Sequence, residues 1–228
     1  MSSVTPLLNG YSLTSDQGNP AFCSVLLVES GDERVLFDFG HVGRRRRLLS
    51  ALADRGLEPA DITKVVVSHG HWDHLQNADL FQNAHVFIHP AELRNLAAPP
   101  PTDLGTPRWA KAILAGLTVT ETGEGDEVIP GASVIELPGH TPGSIGLTLS
   151  VDDATVVLAA DAVPTLAVLR ACRASGRPYD RDQADASVER VVKLADVVYP
   201  GHDRPVRLDA SGEFDYTGDA VPLEFRVP

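Results

Sequence analysis

The apolar positions of this chain fall into short β-branched runs separated by turn residues, with longer segments of helical spacing between them. Period-two or continuous apolar runs bounded by Gly, Pro, Asn or Asp are typical of strands. They predict nine strands, at Phe22–Val28, Arg34–Phe39, Lys64–Val67, His85–Ile88, Leu117–Glu121, Ser133–Leu137, Ile145–Leu149, Thr155–Ala159 and Val197–Tyr199. Helical spacing predicts four helices, at Arg44–Arg55, Pro90–Asn95, Pro107–Leu114 and Ala184–Leu194.

This order of elements indicates two hairpin-rich halves, each of which ends near an amphipathic helix. Two sheets packed face to face, with helices on the outside, would bury the apolar face of every element. No hydrophilic linker divides the chain, so we expect one domain over residues 1–228. The last segment, Val206–Pro228, is expected to form a terminal extension with a hairpin.

The composition is that of an ordinary globular protein. Of 228 residues, 43% are hydrophobic and 22% are charged. The longest apolar stretch, Thr155–Leu169, is interrupted by Asp161 and Pro164, and the first ten residues lack the pattern of a signal peptide, so we expect a cytoplasmic protein without a membrane span. Cys23 and Cys172 lie far apart without CxxC spacing and are expected to be buried free thiols.

The charge balance narrows the range of partners. With 19 basic and 31 acidic residues, the formal net charge is −12, which disfavours binding to the phosphate backbone of nucleic acids. The most basic run, Arg44–Arg47, is expected to be a solvated first helical turn. A small-molecule substrate is therefore expected, whereas the oligomeric state stays open, with a homodimer as one possibility.

Four side chains of metal-ligand type follow the apolar strand Lys64–Val67 within six residues. They are His69, His71, Asp73 and His74. Nitrogen and oxygen donors of this kind suit Zn²⁺, and also Fe²⁺ or Mn²⁺. Ligands spaced by two residues on an extended loop point the same way, so His69 and His71 can bind one ion, while Asp73 and His74 can face a second.

Three more donors each follow a predicted strand much further along the chain. His140 stands in Leu-Pro-Gly-His-Thr-Pro-Gly-Ser, Asp161 in Val-Leu-Ala-Ala-Asp-Ala, and His202 in Tyr-Pro-Gly-His-Asp. Glycine or proline lies near each donor, where the backbone must turn closely. Such loops, held by a rigid scaffold, commonly carry functional residues.

In this order the seven donors resemble the signature of the metallo-β-lactamase-fold superfamily, and the similarity extends from about Phe22 to Pro205. The resemblance implies an α+β fold, an αββα four-layer sandwich of two mixed sheets. It implies one divalent ion held by His69, His71 and His140, a second held by Asp73, His74 and His202, and Asp161 as a bridge. Asp38 matches an early aspartate that braces the site in this family.

The resemblance also implies hydrolysis by a hydroxide shared between the two ions, which are expected to be zinc. Asp73 is the candidate to orient that hydroxide or to move its proton. The chain lacks the extra domains of larger relatives, which favours a small ester, thioester or lactone as the substrate. Two alternatives are a single-domain nuclease or phosphodiesterase, and a persulfide dioxygenase with one iron on His71 or its neighbour, His140 and Asp161.

The sequence says less about the groups that contact the substrate. His41 and Trp72 are weak candidates because they lie beside the presumed site in the chain. The loops within Leu93–Trp109 and Val163–Gln183 are expected to line the pocket and to determine specificity.

Overall fold

A computed structural model of the chain describes residues 2–18, 20–217 and 223–224. The first of its two sheets contains six strands, in the spatial order β1 to β6. They are β1 Ser2–Leu8, β2 Val25–Ser30, β3 Glu33–Phe37, β4 Lys64–Val66, β5 His85–Ile88 and β6 Thr118–Glu121. The second sheet contains seven strands, in the spatial order β7 to β13. They are β7 Glu127–Ile129, β8 Ala132–Glu136, β9 Ile145–Val151, β10 Ala154–Ala160, β11 Val197–Pro200, β12 Val206–Leu208 and β13 Phe214–Tyr216.

Both sheets are mixed. In the first, β1, β2 and β3 are antiparallel, whereas β3, β4, β5 and β6 run parallel to one another. In the second, only the central pair β10 and β11 is parallel. The helices of the described residues are α1 Arg45–Ala53, α2 Trp72–Leu75, α3 Pro90–Ala97, α4 Ala110–Ile113, α5 Leu166–Ala171 and α6 Arg181–Leu194.

Three clusters of buried apolar side chains separate four layers. The central cluster lies between the two sheets and includes Phe37 from β3 and Leu147 from β9. The second joins the first sheet to α1, α3 and α4, with Leu48 and Leu52 as the buried side chains of α1. The third joins the second sheet to α5 and α6, and includes Val188. The αββα sandwich with two mixed sheets is therefore confirmed.

All nine predicted strands are present, with ends that differ by at most three residues, and His85–Ile88 has the predicted bounds. The pattern did not predict β1, β7, α2 or α5. In β1 only Leu7 and Leu8 are buried, so its apolar pattern is weak and its pairing with β2 forms the strand. The helix predicted at Pro107–Leu114 is shortened to α4, which has four residues.

Two smaller expectations need correction. Cys23 is buried, but Cys172 is exposed; it lies at the end of α5, where its backbone is left-handed. Arg44 is not a solvated residue of the first turn of α1; its guanidinium donates to the carbonyl oxygens of Asn9 and Cys23 at 2.7 and 3.3 Å.

The terminal hairpin is confirmed as β12 and β13, which extend the edge of the second sheet beside β11. The remainder of that predicted extension, residues 218–222 and 225–228, lies outside the described residues. None of the helices in the part of the chain described here is both long and apolar enough to cross a membrane.

Candidate metal centre

The candidate ligands lie at the carboxyl ends of strands from both sheets. Parallel strands end at the same edge of a sheet, so β3 and β4 bring Asp38 and His69 together, and β10 and β11 bring Asp161 and His202 together. The two sheets are joined here by a hydrogen bond from the Ile145 N–H to the carbonyl oxygen of Ser68, 2.9 Å. Chain topology thus places loops from distant parts of the sequence at one edge of the sandwich.

The first set of candidate donors comprises His69, His71, His140 and Asp161, and one donor atom from each lies within 4.8 Å of all the others. His140 Nε2 lies 3.0 Å from His71 Nδ1 and 3.4 Å from Asp161 Oδ2. His69 Nε2 lies 4.0 Å from the same Asp161 oxygen. Three imidazoles and one carboxylate therefore surround a single point.

The second set comprises His74, Asp161 and His202, with Asp73 beside them. His202 Nε2 lies 3.1 Å from Asp161 Oδ2, and His74 Nε2 lies 3.4 Å from Asp161 Oδ1. Asp73 Oδ2 lies 3.6 Å from His202 Nε2 and 3.8 Å from His74 Nε2. Asp161 faces both sets, so all seven donors of the sequence motif lie in one cluster.

Several of these buried atoms lack a hydrogen-bond partner among the described residues. They are His69 Nε2, His74 Nε2 and Asp161 Oδ1; His202 Nδ1 also lacks a partner, on the side of its ring away from Asp161. Buried polar atoms without partners cost about 1–3 kcal/mol each, and they are rare unless an ion, water or ligand satisfies them. The donor set of five imidazoles and two carboxylates fits divalent ions of the zinc type.

The electrostatics of the two sets differ. Burial, together with the neighbouring His71 imidazole, lowers the pKa of His140 to about 3, and burial also holds the pKa of His69 well below its usual value. Burial opposes protonation of both His74 and His202. Cys23 and nearby carboxylates outweigh it at His74, and Asp161 and Asp73 outweigh it at His202, so the pKa of both side chains is raised. The imidazoles of His69 and His140 therefore favour the neutral form, which ligand histidines must adopt, whereas the surroundings of His74 and His202 favour positive charge.

Asp38 holds one member of the second set in place. Its Oδ2 lies 2.8 Å from His74 Nδ1, and its carboxylate accepts hydrogen bonds from the backbone N–H and the hydroxyl of Ser68 at 2.7 and 2.8 Å. The backbone of Asp38 is left-handed, with φ 65°, which turns the chain sharply at the end of β3. Such a contact fixes the orientation of the ring and leaves Nε2 facing Asp161.

A buried carboxylate that the sequence analysis missed connects the loops of the first set. Glu92, fully buried on α3, accepts hydrogen bonds from the N–H groups of Gly70 and Gly143 at 2.8 and 3.0 Å. It also accepts from the hydroxyl of Thr141 at 2.6 Å. Gly70 lies between His69 and His71, and Thr141 follows His140. One feature of the sequence could have indicated a buried role for Glu92: it lies four residues before Leu96, on the same buried face of α3.

A cavity of about 520 Å³ opens beside the first set. It is lined by His71 and His140 and by two loops, with Pro100, Thr102, Asp103, Leu104 and Gly105 on one side and Arg177, Pro178 and Tyr179 on the other. Both loops lie within the segments expected to line a pocket. Asp103 Oδ1 lies 3.2 Å from His71 Nε2, a contact that nothing in the sequence indicated.

The two weak substrate candidates lie elsewhere. The ring of His41 packs between Phe22 and Trp72, with centroid distances of 4.4 and 4.8 Å. His41 Nδ1 accepts the N–H of Gly43 at 2.8 Å, and neither His41 nor Trp72 lines the cavity beside His71. A role for either residue in substrate binding stays a prediction.

Comparison with known proteins agrees with this geometry. The family model described as the metallo-beta-lactamase superfamily matches residues 18–202. The chain belongs to this superfamily. A curated relative, metallo-beta-lactamase domain-containing protein 1 of Xenopus laevis, is 34% identical over 218 residues, which cover 92% of this chain and 84% of the relative.

Superfamily members named for a reaction are also similar. An N-acyl homoserine lactonase of a Bacillus species is 30% identical over 163 residues, 69% of this chain and 62% of the lactonase. A solved structure of B. thuringiensis AiiA with N-decanoyl-L-homoserine bound at its active site has a TM-score of 0.71 at 20% identity, and the match covers 89% of this chain and 92% of that one. At this identity the structural similarity shows the fold alone.

Proposed function

We propose that this protein is a metal-dependent hydrolase of a small ester, thioester or lactone. The observation that carries the proposal is the convergence of seven nitrogen and oxygen donors, three atoms of which, His69 Nε2, His74 Nε2 and Asp161 Oδ1, are buried without a hydrogen-bond partner in the described chain. The similarity to N-acyl homoserine lactonases favours a lactone within this class.

We assign His69, His71 and His140 to one divalent ion, and Asp73, His74 and His202 to a second, with Asp161 between them. The distances from Asp161 to members of both sets support this division. Zinc is the ion that this donor set fits best, although Fe²⁺ and Mn²⁺ accept the same donors.

Divalent ions at such a site supply Lewis acidity and lower the pKa of water towards neutrality. The chain supplies the groups that orient the reactants and handle the proton. Asp73 Oδ2 lies within 3.8 Å of both His74 Nε2 and His202 Nε2, so its carboxylate lies within the reaction zone and is the group that we assign to orient the attacking water and accept its proton.

The cavity beside His71 and His140 suits the part of the substrate that does not react. Its volume of about 520 Å³ matches a small organic molecule, and its walls combine apolar side chains such as Leu104 and Pro178 with the Arg177 guanidinium and the Asp103 carboxylate. A small acyl or lactone substrate fits this mixture of apolar surface and a few polar groups.

Four of the arginines that a nuclease could use form ion pairs with carboxylates at the surface of the protein. Arg45 pairs with Asp79, Arg170 with Asp215, and both Arg173 and Arg181 with Asp185. They form separate ion pairs within a chain of net charge −12, and this disfavours a phosphate-binding face.

The test begins with the metal content of the purified protein, followed by a panel of substrates. We expect two ions per chain, together with hydrolysis of lactones, esters or thioesters that is lost on chelation and restored by zinc or manganese. One iron per chain with oxygen-dependent oxidation of a persulfide would overturn the proposal, and so would cleavage of phosphodiesters alone.

Asp73→Ala should abolish turnover while leaving the fold intact, because it removes the proposed proton acceptor. The matched control is Asp79→Ala, which removes an exposed carboxylate six residues further on and should turn over like the parent. A normal kcat in Asp73→Ala would refute the role assigned to Asp73.

A further inference from the structure

The imidazole of His71 is held at both of its nitrogen atoms. Nδ1 lies 3.0 Å from His140 Nε2, on the side of the candidate metal centre, and Nε2 lies 3.2 Å from Asp103 Oδ1, on the side of the cavity. Both side chains are mostly buried, with exposed fractions of 17% for His71 and 14% for Asp103. A neutral imidazole has one N–H, so a partner at Nε2 decides which nitrogen keeps a free lone pair.

Asp103 is fixed by its own loop. The N–H groups of Gly105 and Thr106 donate to its Oδ1 at 2.9 and 3.1 Å, and the amide of Asn95 lies 3.4 Å from its Oδ2. The carboxylate is therefore an acceptor held at a defined position.

The same loop also restrains the ring and the following residue. A Cβ placed on Gly105 would lie 2.5 Å from His71 Cδ2, so the bare backbone of Gly105 lies directly against the imidazole. The carbonyl oxygen of Gly105 accepts the Trp72 N–H at 2.9 Å, which ties the loop to the start of α2. These contacts leave the His71 ring little freedom to rotate.

We propose that Asp103 is a positioning residue for His71. The Asp103 carboxylate accepts a hydrogen bond from His71 Nε2–H and thereby keeps His71 Nδ1 free to bind a cation. This inference rests on the proposed function, because it concerns one ligand of the proposed first ion. Asp103 contacts the outer nitrogen of His71 as Asp38 contacts that of His74. In each set, therefore, one histidine is held by a carboxylate that is not itself a candidate ligand. Groups in this position typically contribute about 10- to 100-fold to metal affinity.

The experiment measures zinc affinity by competition with a chromophoric chelator, using the whole chain. We expect Asp103→Ala to bind the first zinc ion about 10- to 100-fold more weakly than the parent. Asp103→Asn keeps a carbonyl acceptor but loses the charge, and we expect it to lose several-fold, less than Asp103→Ala. If either variant binds zinc as tightly as the parent, the inference is overturned. If Asp103→Ala does not fold, Asp103→Asn alone decides the question.

Two controls separate positioning from a structural role of the loop. Asp209→Ala removes a carboxylate that also accepts backbone N–H groups of its own loop, from Ser211 and Glu213, and it should bind zinc like the parent. In a His71→Ala background, Asp103→Ala should change the affinity by less than twofold, because the ring that it positions is gone. If Asp103→Ala weakens zinc binding by the same factor with and without His71, the two residues act independently and the inference is overturned.

The outcomes also distinguish this inference from the proposed function. A parent chain that binds no zinc, manganese or iron overturns both. A parent that binds zinc and hydrolyses a substrate, alongside an Asp103→Ala variant of equal affinity, overturns the role of Asp103 and leaves the proposed function standing.

Discussion

Replacement of Glu92 by Gln tests whether one buried carboxylate joins the loops of the candidate metal centre. The two oxygens of Glu92 accept four donors, with Gly70 N–H and the Asn95 amide on Oε1, and the Thr141 hydroxyl and Gly143 N–H on Oε2. Glutamine has almost the same shape but presents an NH₂ group in place of one oxygen. At least one buried backbone N–H, of Gly70 or Gly143, must then lose its acceptor.

The expected loss of stability follows from that count. An orphaned buried N–H costs about 1–3 kcal/mol, and hydrogen bonds to a charged acceptor exceed neutral ones by about 1 kcal/mol. The free energy of unfolding of Glu92→Gln should therefore fall by about 2–4 kcal/mol. In a chain of this size each kcal/mol corresponds to about 2–4 °C, so Tm should fall by about 4–16 °C.

Thermal and urea unfolding followed by circular dichroism measure this change. The matched control is Glu127→Gln, since Glu127 is exposed and, within the described residues, accepts a single hydrogen bond, from the N–H of Gly131; its replacement should change stability by no more than about 0.5 kcal/mol. A fall in Tm below about 2 °C in Glu92→Gln would mean that its hydrogen bonds contribute less than about 1 kcal/mol together. That result would refute the role inferred from its buried contacts.

Three further predictions concern the site and its surroundings. His140→Ala should lower the metal content from two ions per chain towards one, and equal content in variant and parent would remove His140 from the ligand set. Burial raises the pKa of Cys23 to about 12, so at pH 8 a disulfide reagent should modify only the exposed Cys172, and two fast-reacting thiols in the native protein would contradict this. Gly201→Ala would place a methyl group 2.0 Å from Asp161 Oδ1, so we expect kcat to fall by about 100-fold, and parent-like kinetics would show that the loop can move aside.

The fold was largely predictable because apolar periodicity reports burial, and most elements of this sandwich are buried on at least one face. The strands of the sheet interiors, such as β5 and β10, were found for this reason. The strand β1 was missed because it lies at a sheet edge with five of its seven residues only half-buried. In such a strand the hydrogen bonds to the neighbouring strand, rather than the side-chain pattern, decide the structure.

The candidate ligands were predictable for a different reason. A metal ion accepts only a few side-chain types, so histidines and aspartates at strand ends stand out, and the seven donors do lie in one cluster. Glu92 and Asp103 were not predictable, because any carboxylate in the right place could accept their hydrogen bonds. Their partners lie far away in the chain: Glu92 contacts residues 22 and 51 positions away, and Asp103 contacts one 32 positions away.

This difference has a consequence for proteins that share the ligand motif. The motif constrains which atoms face the ions, but the loops around them are held by carboxylates whose positions depend on loop length and helix placement. Asp38 acts from the end of β3, Glu92 from α3 and Asp103 from the wall of the cavity. Since Asp103 both lines the cavity and contacts His71, a change in that loop would alter the pocket and the proposed first ion together. Substrate preference and metal affinity should therefore vary jointly among variants of residues 100–106, even when every ligand is retained.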